Sequence, residues 1–410
     1  MLSVSLSSTS IHPAGIEQTL HEVVETLAPI ERTPCSPGER AAAEWLAARL
    51  RGVPGVEVEL EDEPSWGTFP PTATGLGLAG VLAAVLSLRR HRALGRLLAA
   101  ATLAGIVDEA HNGPRFVRRL ARRRRKTVNL VARAGDARAP LTVVVLAHHD
   151  APQTGIVFDQ TLQRKAYERA PQLIEGVKTP LPQWWFGLAG PLATLIGAGH
   201  AGKRSLGARV GLVLGLVGTA LVADMWRSET VQGANDNLSG VACLVALAEL
   251  LHERPIPGLR VLLVSCGAEE TLQDGIRAFV GRHRHELDPQ TTRFINLDAV
   301  GSPHLVMLEA EGPIRMEEYR GPWLRDLIAA RAAALSIPLH RGYRARASTD
   351  SVIPSRAGYP IATLVSMTDW RAPANYHLPS DIPANLDYAT VADTTRLVYD
   401  VARALAESGQ

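Results

Sequence analysis

The chain has 410 residues, 46% hydrophobic, 5% aromatic and 20% charged, and 43 Lys and Arg against 41 Asp and Glu leave a net charge of +2. So much apolar content near neutrality excludes a disordered chain, and 35 Gly with three Cys exclude a collagen-like or disulfide-framework protein. Mean hydropathy is +0.03, the value of an ordinary soluble enzyme. Cys35, Cys243 and Cys266 are far apart and form no CxxC pair, as expected of reduced thiols. The first fifteen residues lack the basic segment and apolar core of a signal peptide, so the expected start is cytoplasmic.

In chain order, Ile16, Leu20, Val23, Val24 and Leu27 share one helical face. Ser36-Pro37-Gly38-Glu39 then reads as a capped helix start running to about Arg51. Val56–Leu60 alternates apolar and acidic residues, as an edge strand does. From Thr72 to Leu88 the chain is uncharged. A basic tip follows (Arg89, Arg90, Arg92, Arg96), and then a second apolar leg, Leu97–Val107. Eight positive charges fall within 115–126.

Val128–Arg133 and Leu141–Ala147 read as strands, the second buried on both faces. A second anomaly spans Trp184–Ala223: two uncharged legs around a polar, basic tip at 200–209. Strands are then expected at 259–265, 294–297, 304–308 and 361–366. Helices are expected at 239–251, 275–287, 322–335 and 388–406. This alternation specifies an α/β fold, a mostly parallel mixed sheet flanked by helices, with ligand sites at the carboxyl ends of strands.

Those ends carry chemistry. His148-His149-Asp150 follows the strand at 141–147, and Gly233-Ala234-Asn235-Asp236-Asn237-Leu238-Ser239-Gly240 opens a helix. Glu269-Glu270 follows the strand at 259–265, Asp298 follows that at 294–297, and Asn375-Tyr376-His377 follows that at 361–366. Singly each has a structural explanation: a hydrogen-bonded His, a capping Asp, a solvated acidic pair. Jointly, and in this order, they resemble the zinc aminopeptidases of peptidase family M28. The resemblance covers roughly 1–60 and 128–410.

It implies two zinc ions per chain. His148 and Asp298 would each bind one, Glu270 and His377 the other, and Asp236 would bridge them. Asp150 would orient His148, and Glu269 would be the general base acting on a water activated by the metal pair. His149 stays open as an alternative to His148. Asp350, within Ser348-Thr349-Asp350-Ser351, either lines the pocket or caps a turn. Tyr343, Trp370 and Tyr376 are candidates for shaping the pocket or simply for packing. The implied activity is hydrolysis of N-terminal peptide bonds. The alternatives are a glutaminyl cyclase-like zinc acyltransferase and a non-catalytic membrane scaffold.

The expected organisation is a catalytic domain from 1–69, 127–154 and 231–410, with apolar helical hairpins inserted at 70–126 and 155–230. Legs of 17, 11, 16 and 14 uncharged residues are at or below the ~20 needed to span a bilayer. Lipid contact through 72–107 and 184–223 is the leading expectation, with the catalytic domain cytoplasmic and the basic run at anionic headgroups. Re-entrant segments, or a buried or interface helix unit in a soluble cytoplasmic protein, are the alternatives. A nucleic-acid partner is not expected, because the basic run lacks the repeated interleaved aromatics and the basic fold of nucleic-acid binders. Oligomeric state has no signature here.

Overall fold

A computed structural model describes residues 13–180, 184–197 and 204–409. The amino-terminal stretch 1–12 and part of the expected tip at 200–209 lie outside the described residues.

The chain opens with α1 (Pro13–Leu27) and α2 (Pro37–Arg51), followed by β1 (Glu57–Ser65). The expected cap is present: the Ser36 hydroxyl accepts from Glu39 N at 3.1 Å, and Glu39 accepts from Cys35 N at 3.0 Å. The apolar stretches then fold into α3 (Pro70–Leu88) and α4 (Arg92–Ala110), with a short α5 (Phe116–Ala121) behind them. After β2 (Arg125–Gly135) and β3 (Leu141–His148) come two short helices that periodicity did not suggest, α6 (Thr161–Arg169) and α7 (Pro171–Glu175). The second apolar region forms α8 (Trp185–Gly197) and α9 (Arg204–Arg227).

The remainder alternates as expected: α10 (Ser239–Glu253), β4 (Leu259–Cys266), α11 (Asp274–His283), β5 (Thr292–Leu297), β6 (His304–Glu311), β7 (Glu317–Glu318), α12 (Pro322–Ala334), β8 (His340–Ala345), α13 (Val352–Arg356), β9 (Ile361–Met367) and α14 (Tyr388–Ser408). Helix α11 stops at His283 rather than at 287, because residues 284–287 close a turn in which Glu286 N and Leu287 N both donate to His283 O. The two-residue β7 and the polar β8 carry too little apolar alternation to be read in advance.

Among the described residues the sheet has nine strands in the order β1-β2-β4-β3-β5-β9-β6-β7, with β8 on β6. Its centre, β4-β3-β5-β9, is parallel, and β1, β2 and β7 join antiparallel. Every residue of β3 is buried, as expected of a strand covered on both faces. One face packs on α1, α2, α10, α12 and α14 around Leu46, Leu244, Ile328 and Leu397. The other packs on α11 and α13 around Phe279 and Ile353. Strands β3, β4, β5 and β9 therefore end along one edge, and the sequence motifs follow those ends.

Helices α3, α4, α8 and α9 pack on one another rather than on the sheet. Glycines sit at their contacts: a Cβ on Gly190 would come within 2.6 Å of Gly215, and one on Gly207 within 2.4 Å of Gly197. Many leucines and valines face outward instead, with Leu78 57%, Leu97 68% and Val213 59% exposed.

A candidate metal centre at the strand ends

Asp236 sits at the centre of the site. Its loop turns at Gly233, whose φ of +58° favours glycine and where a Cβ would meet Asp236 O at 2.4 Å. The Asp381 carboxylate accepts from Asn235 N at 2.7 Å and Asp236 N at 3.1 Å. Asn237 ties the loop to the end of β5, donating to Leu297 O at 2.8 Å and accepting from Ala299 N at 3.1 Å. The Asp236 carboxylate is thereby presented to two imidazoles. His148 Nε2 lies 3.2 Å from Oδ1 and His377 Nε2 lies 3.2 Å from Oδ2. Glu270 Oε1 is 3.5 Å from the same His377 nitrogen. One donor atom each from His148, Asp236 and Glu270 falls within 4.8 Å of the other two.

Asp150 works from behind. One oxygen lies 3.4 Å from His148 Nδ1 and accepts from Glu269 N at 3.0 Å, while the other accepts from Glu270 N at 3.0 Å. A single buried carboxylate thus fixes both the His148 ring and the Glu269–Glu270 turn. His149 points elsewhere: its Nδ1 meets Ser265 Oγ at 2.9 Å, and burial pushes the imidazole down to about 4, so it is neutral. Of the two histidines, His148 is the one facing Asp236.

The electrostatics are those of an overcrowded anionic site. Burial opposes ionisation of Asp236, but hydrogen bonds from His148 and His377 outweigh it and hold the carboxyl below its ordinary range. Burial, aided by the Asp236 charge, lifts Asp298 to about 7. Glu269 and Glu270 are raised well above normal, first by burial and then by neighbouring carboxylates. His148 is raised too, because its bonds to Asp150 and Asp236 overcome burial. Several carboxylates and two imidazoles converge, and the buried Arg32 beside them spends its donors on backbone carbonyls, which leaves negative charge for a cation to neutralise. Imidazole nitrogen and carboxylate oxygen are the donors zinc takes in catalytic sites, so the residues present fit that metal. Asp298 stands outside the 4.8 Å group but interacts electrostatically with Asp236 and His148.

Asp350 resolves as a site neighbour rather than a turn cap. It is buried, neither carboxylate oxygen has a hydrogen-bond partner, and burial lifts it to about 7. Tyr376 packs 3.9 Å from the His377 ring, and Phe158, on the segment before α6, packs 4.3 Å from it. Trp370 donates to Gln160 at 2.9 Å, and Tyr343 lies beneath Lys178 and Arg371, so both serve packing.

Four supports were not read as such from the sequence. Arg32, fully buried, donates to the carbonyls of Leu27, Ile30, His149 and Gln232 and so clamps the Asp150 and Asp236 loops together. Glu39, read only as a helix cap, also accepts from Ala268 N at 2.8 Å, the residue before Glu269. Gln273 donates to Glu269 Oε1 at 2.6 Å, and Asn112, just past α4, donates to Gln273 Oε1 at 2.8 Å. Two arginines of the basic run are committed inside the protein. Arg115 pairs with Asp274, and Arg118 pairs with Glu109 at 2.6 Å and donates to Thr271 O. These two side chains are therefore not available to headgroups. Only Glu39 carried a sequence signal; the others are single polar residues in irregular segments.

Residues 218–402 match the model of Peptidase family M28, a span that contains Asp236, Glu269, Glu270, Asp298 and His377 and leaves out His148 and Asp150. No curated protein matches the chain. Solved structures of like fold include LapB from Legionella pneumophila, at 13% identity over 97% of this chain and 72% of that one, with a TM-score of 0.54. A Zn-dependent exopeptidase from Parabacteroides distasonis is 13% identical over 94% of this chain and 97% of its own, with a TM-score of 0.53. Bacteroides thetaiotaomicron glutaminyl cyclase bound to N-acetylhistamine is 14% identical over 94% and 97%, with a TM-score of 0.52. The fold is thus the mixed sheet with flanking helices found in zinc exopeptidases, and residues 218–402 carry the M28 sequence pattern.

Proposed function

We propose that the chain is a zinc-dependent exopeptidase of aminopeptidase type, held at a membrane by α3, α4, α8 and α9. The observation that carries the catalytic part is the Asp236 carboxylate shared between His148 Nε2 and His377 Nε2, with Glu270 beside it. His148 and Asp298 would hold one ion, Glu270 and His377 the second, and Asp236 both. Bound zinc supplies Lewis-acid polarisation of the scissile carbonyl and acidifies the attacking water.

The chain's own residues do the rest. Glu269 takes the water's proton and passes it to the leaving amine, a task suited to a carboxyl whose burial raises its proton affinity. Gln273 holds one Glu269 oxygen, leaving the other for the water. Asp150 keeps the His148 ring and the Glu269–Glu270 turn in register. Phe158 and Tyr376 exclude bulk water on the His377 side.

For the membrane part, 70–88 and 206–227 are each long and apolar enough to cross a bilayer, and only 39% and 28% of their apolar windows is buried. A third such segment, 234–253, is almost wholly buried against the sheet and belongs to its core. Glycine at the helix contacts and leucine outside is the arrangement that suits lipid.

The test is metal analysis of the detergent-purified full chain together with a peptide-library assay. About two zinc ions per chain, and hydrolysis from the amino terminus that chelator abolishes, support the proposal. Cyclisation of N-terminal glutamine without hydrolysis would replace it with a cyclase. A folded chain that takes up no zinc would replace it with a scaffold. Detergent dependence of extraction tests the membrane part.

A further inference from the structure

The ends of the four apolar helices are not alike. At the catalytic-domain end stand Trp66 and Phe69 ahead of α3, Phe116 after α4, Trp184 and Trp185 at the start of α8, and Trp226 at the end of α9. Phe69 and Trp184 touch, their ring centroids 5.5 Å apart. Trp185, Trp226 and Phe116 are 52%, 48% and 65% exposed. From Gly187 to Gly197, and through all of α3 and α4, no aromatic side chain occurs; α9 has Trp226 alone. The opposite end of α3 and α4 carries exposed arginines, Arg89 and Arg90. Nineteen residues of α3 rise about 28 Å, close to the ~30 Å of a bilayer's hydrocarbon core. One aromatic level, one aliphatic span and a charged far end are the signature of helices anchored at an interface by their rings. Arg119, over the Trp66 ring at 4.9 Å, and the exposed Arg123 and Arg124 add positive charge next to that level.

The same level forms the mouth of the proposed site. A small cleft is lined by Glu270 and His377 together with Thr68, Phe69, Pro70 and Met225. Phe69 belongs to both the aromatic level and the cleft, and Met225 immediately precedes Trp226. We infer that the site opens at the headgroup level of the bilayer, and that its substrates are peptides anchored in the membrane whose free amino termini lie at that surface. This rests on the peptidase reading above and adds to it the substrate class and the direction of approach. A peptide confined to the surface meets the mouth without leaving it, and anchoring raises its effective concentration there. A peptide in free solution must reach a mouth set against lipid.

The test uses the zinc-loaded full chain in vesicles of phosphatidylcholine and phosphatidylglycerol. Two peptides share one N-terminal sequence, one free and one carrying a C-terminal palmitoyl anchor behind a flexible spacer. The anchored peptide is expected to show at least about tenfold higher kcat/KM, mostly through KM. Added lipid should dilute the advantage, and detergent should remove it. Trp185→Ser with Trp226→Ser, both outside the catalytic machinery, should shrink the advantage and leave free-peptide turnover unchanged. Equal kcat/KM for both peptides in vesicles overturns the inference and leaves the peptidase reading standing. Hydrolysis of neither overturns the peptidase reading and the inferred substrate class with it. The placement is read without turnover, by quenching of the Glu269→Gln protein with brominated lipids. Bromines near the headgroup should quench the Trp185 and Trp226 contribution more strongly than bromines near the chain end, and the reverse overturns the placement.

Discussion

The strand-end site and the apolar helices invert one another. Around Asp236, polar groups are buried and several are held by a second polar group: His148 by Asp150, the Asp236 loop by Asp381 and Asn237, Glu269 by Gln273. In α3, α4, α8 and α9 small residues sit at the helix contacts and many large apolar ones face out. The first pattern suits a cation that offsets the carboxylates. The second suits a cover other than water over the leucines. The proposed function rests on both fits.

The largest expected effect breaks the first region alone. Glu269→Gln should lower kcat by roughly 10²–10⁴-fold while zinc content stays unchanged, read by steady-state kinetics beside metal analysis. Next comes the pH dependence of metal uptake. His148 is raised above its ordinary value and Asp298 to about 7, so below that pH both hold protons that a metal must displace. Zinc affinity should fall as pH drops from 8 to 6, by about tenfold or more, in a competition titration against a chromophoric chelator. An affinity flat across that range would contradict the assigned ligands.

The comparison is sharpened where the two regions meet. Asn112, at the foot of α4, reaches Glu269 through Gln273. Asn112→Ala and Gln273→Ala should each reduce kcat by roughly tenfold with KM little changed, and the double variant should be no worse than Gln273→Ala alone. Full additivity would mean the two residues act separately. The smallest effect belongs to the helices. Gly190→Leu, which drives a side chain into Gly215, should destabilise the chain by about 1–3 kcal/mol in detergent without altering zinc content.

How much of this was legible follows from where each determinant lies. The strands before His148, Glu269 and Asp298 announced themselves as apolar runs, because burial on both faces demands it. The motif residues followed at fixed short offsets, so sequence order preserved their arrangement. Arg32 and Gln273 gave no signal, since what matters about them is which carbonyl or carboxylate lies within 3 Å, and those partners are 117 residues away for Arg32 and His149. Asp350 read as either a pocket or a turn residue until the structure buried it beside the charges of His148 and Asp298. Phe158 sits in a stretch with no periodicity, yet it packs on the His377 ring.

By itself, then, the sequence determined the alternation of strands and helices, the residues at the strand ends and the four uncharged legs, all properties of local pattern. The tertiary structure decided which histidine of the pair faces Asp236 and which arginines of the basic run are spent in buried pairs. It also brought the aromatic ends of separate helices beside one cleft. Those outcomes depend mostly on contacts between segments far apart in the chain, such as Arg115 with Asp274, 159 residues on, and local pattern carries no record of them.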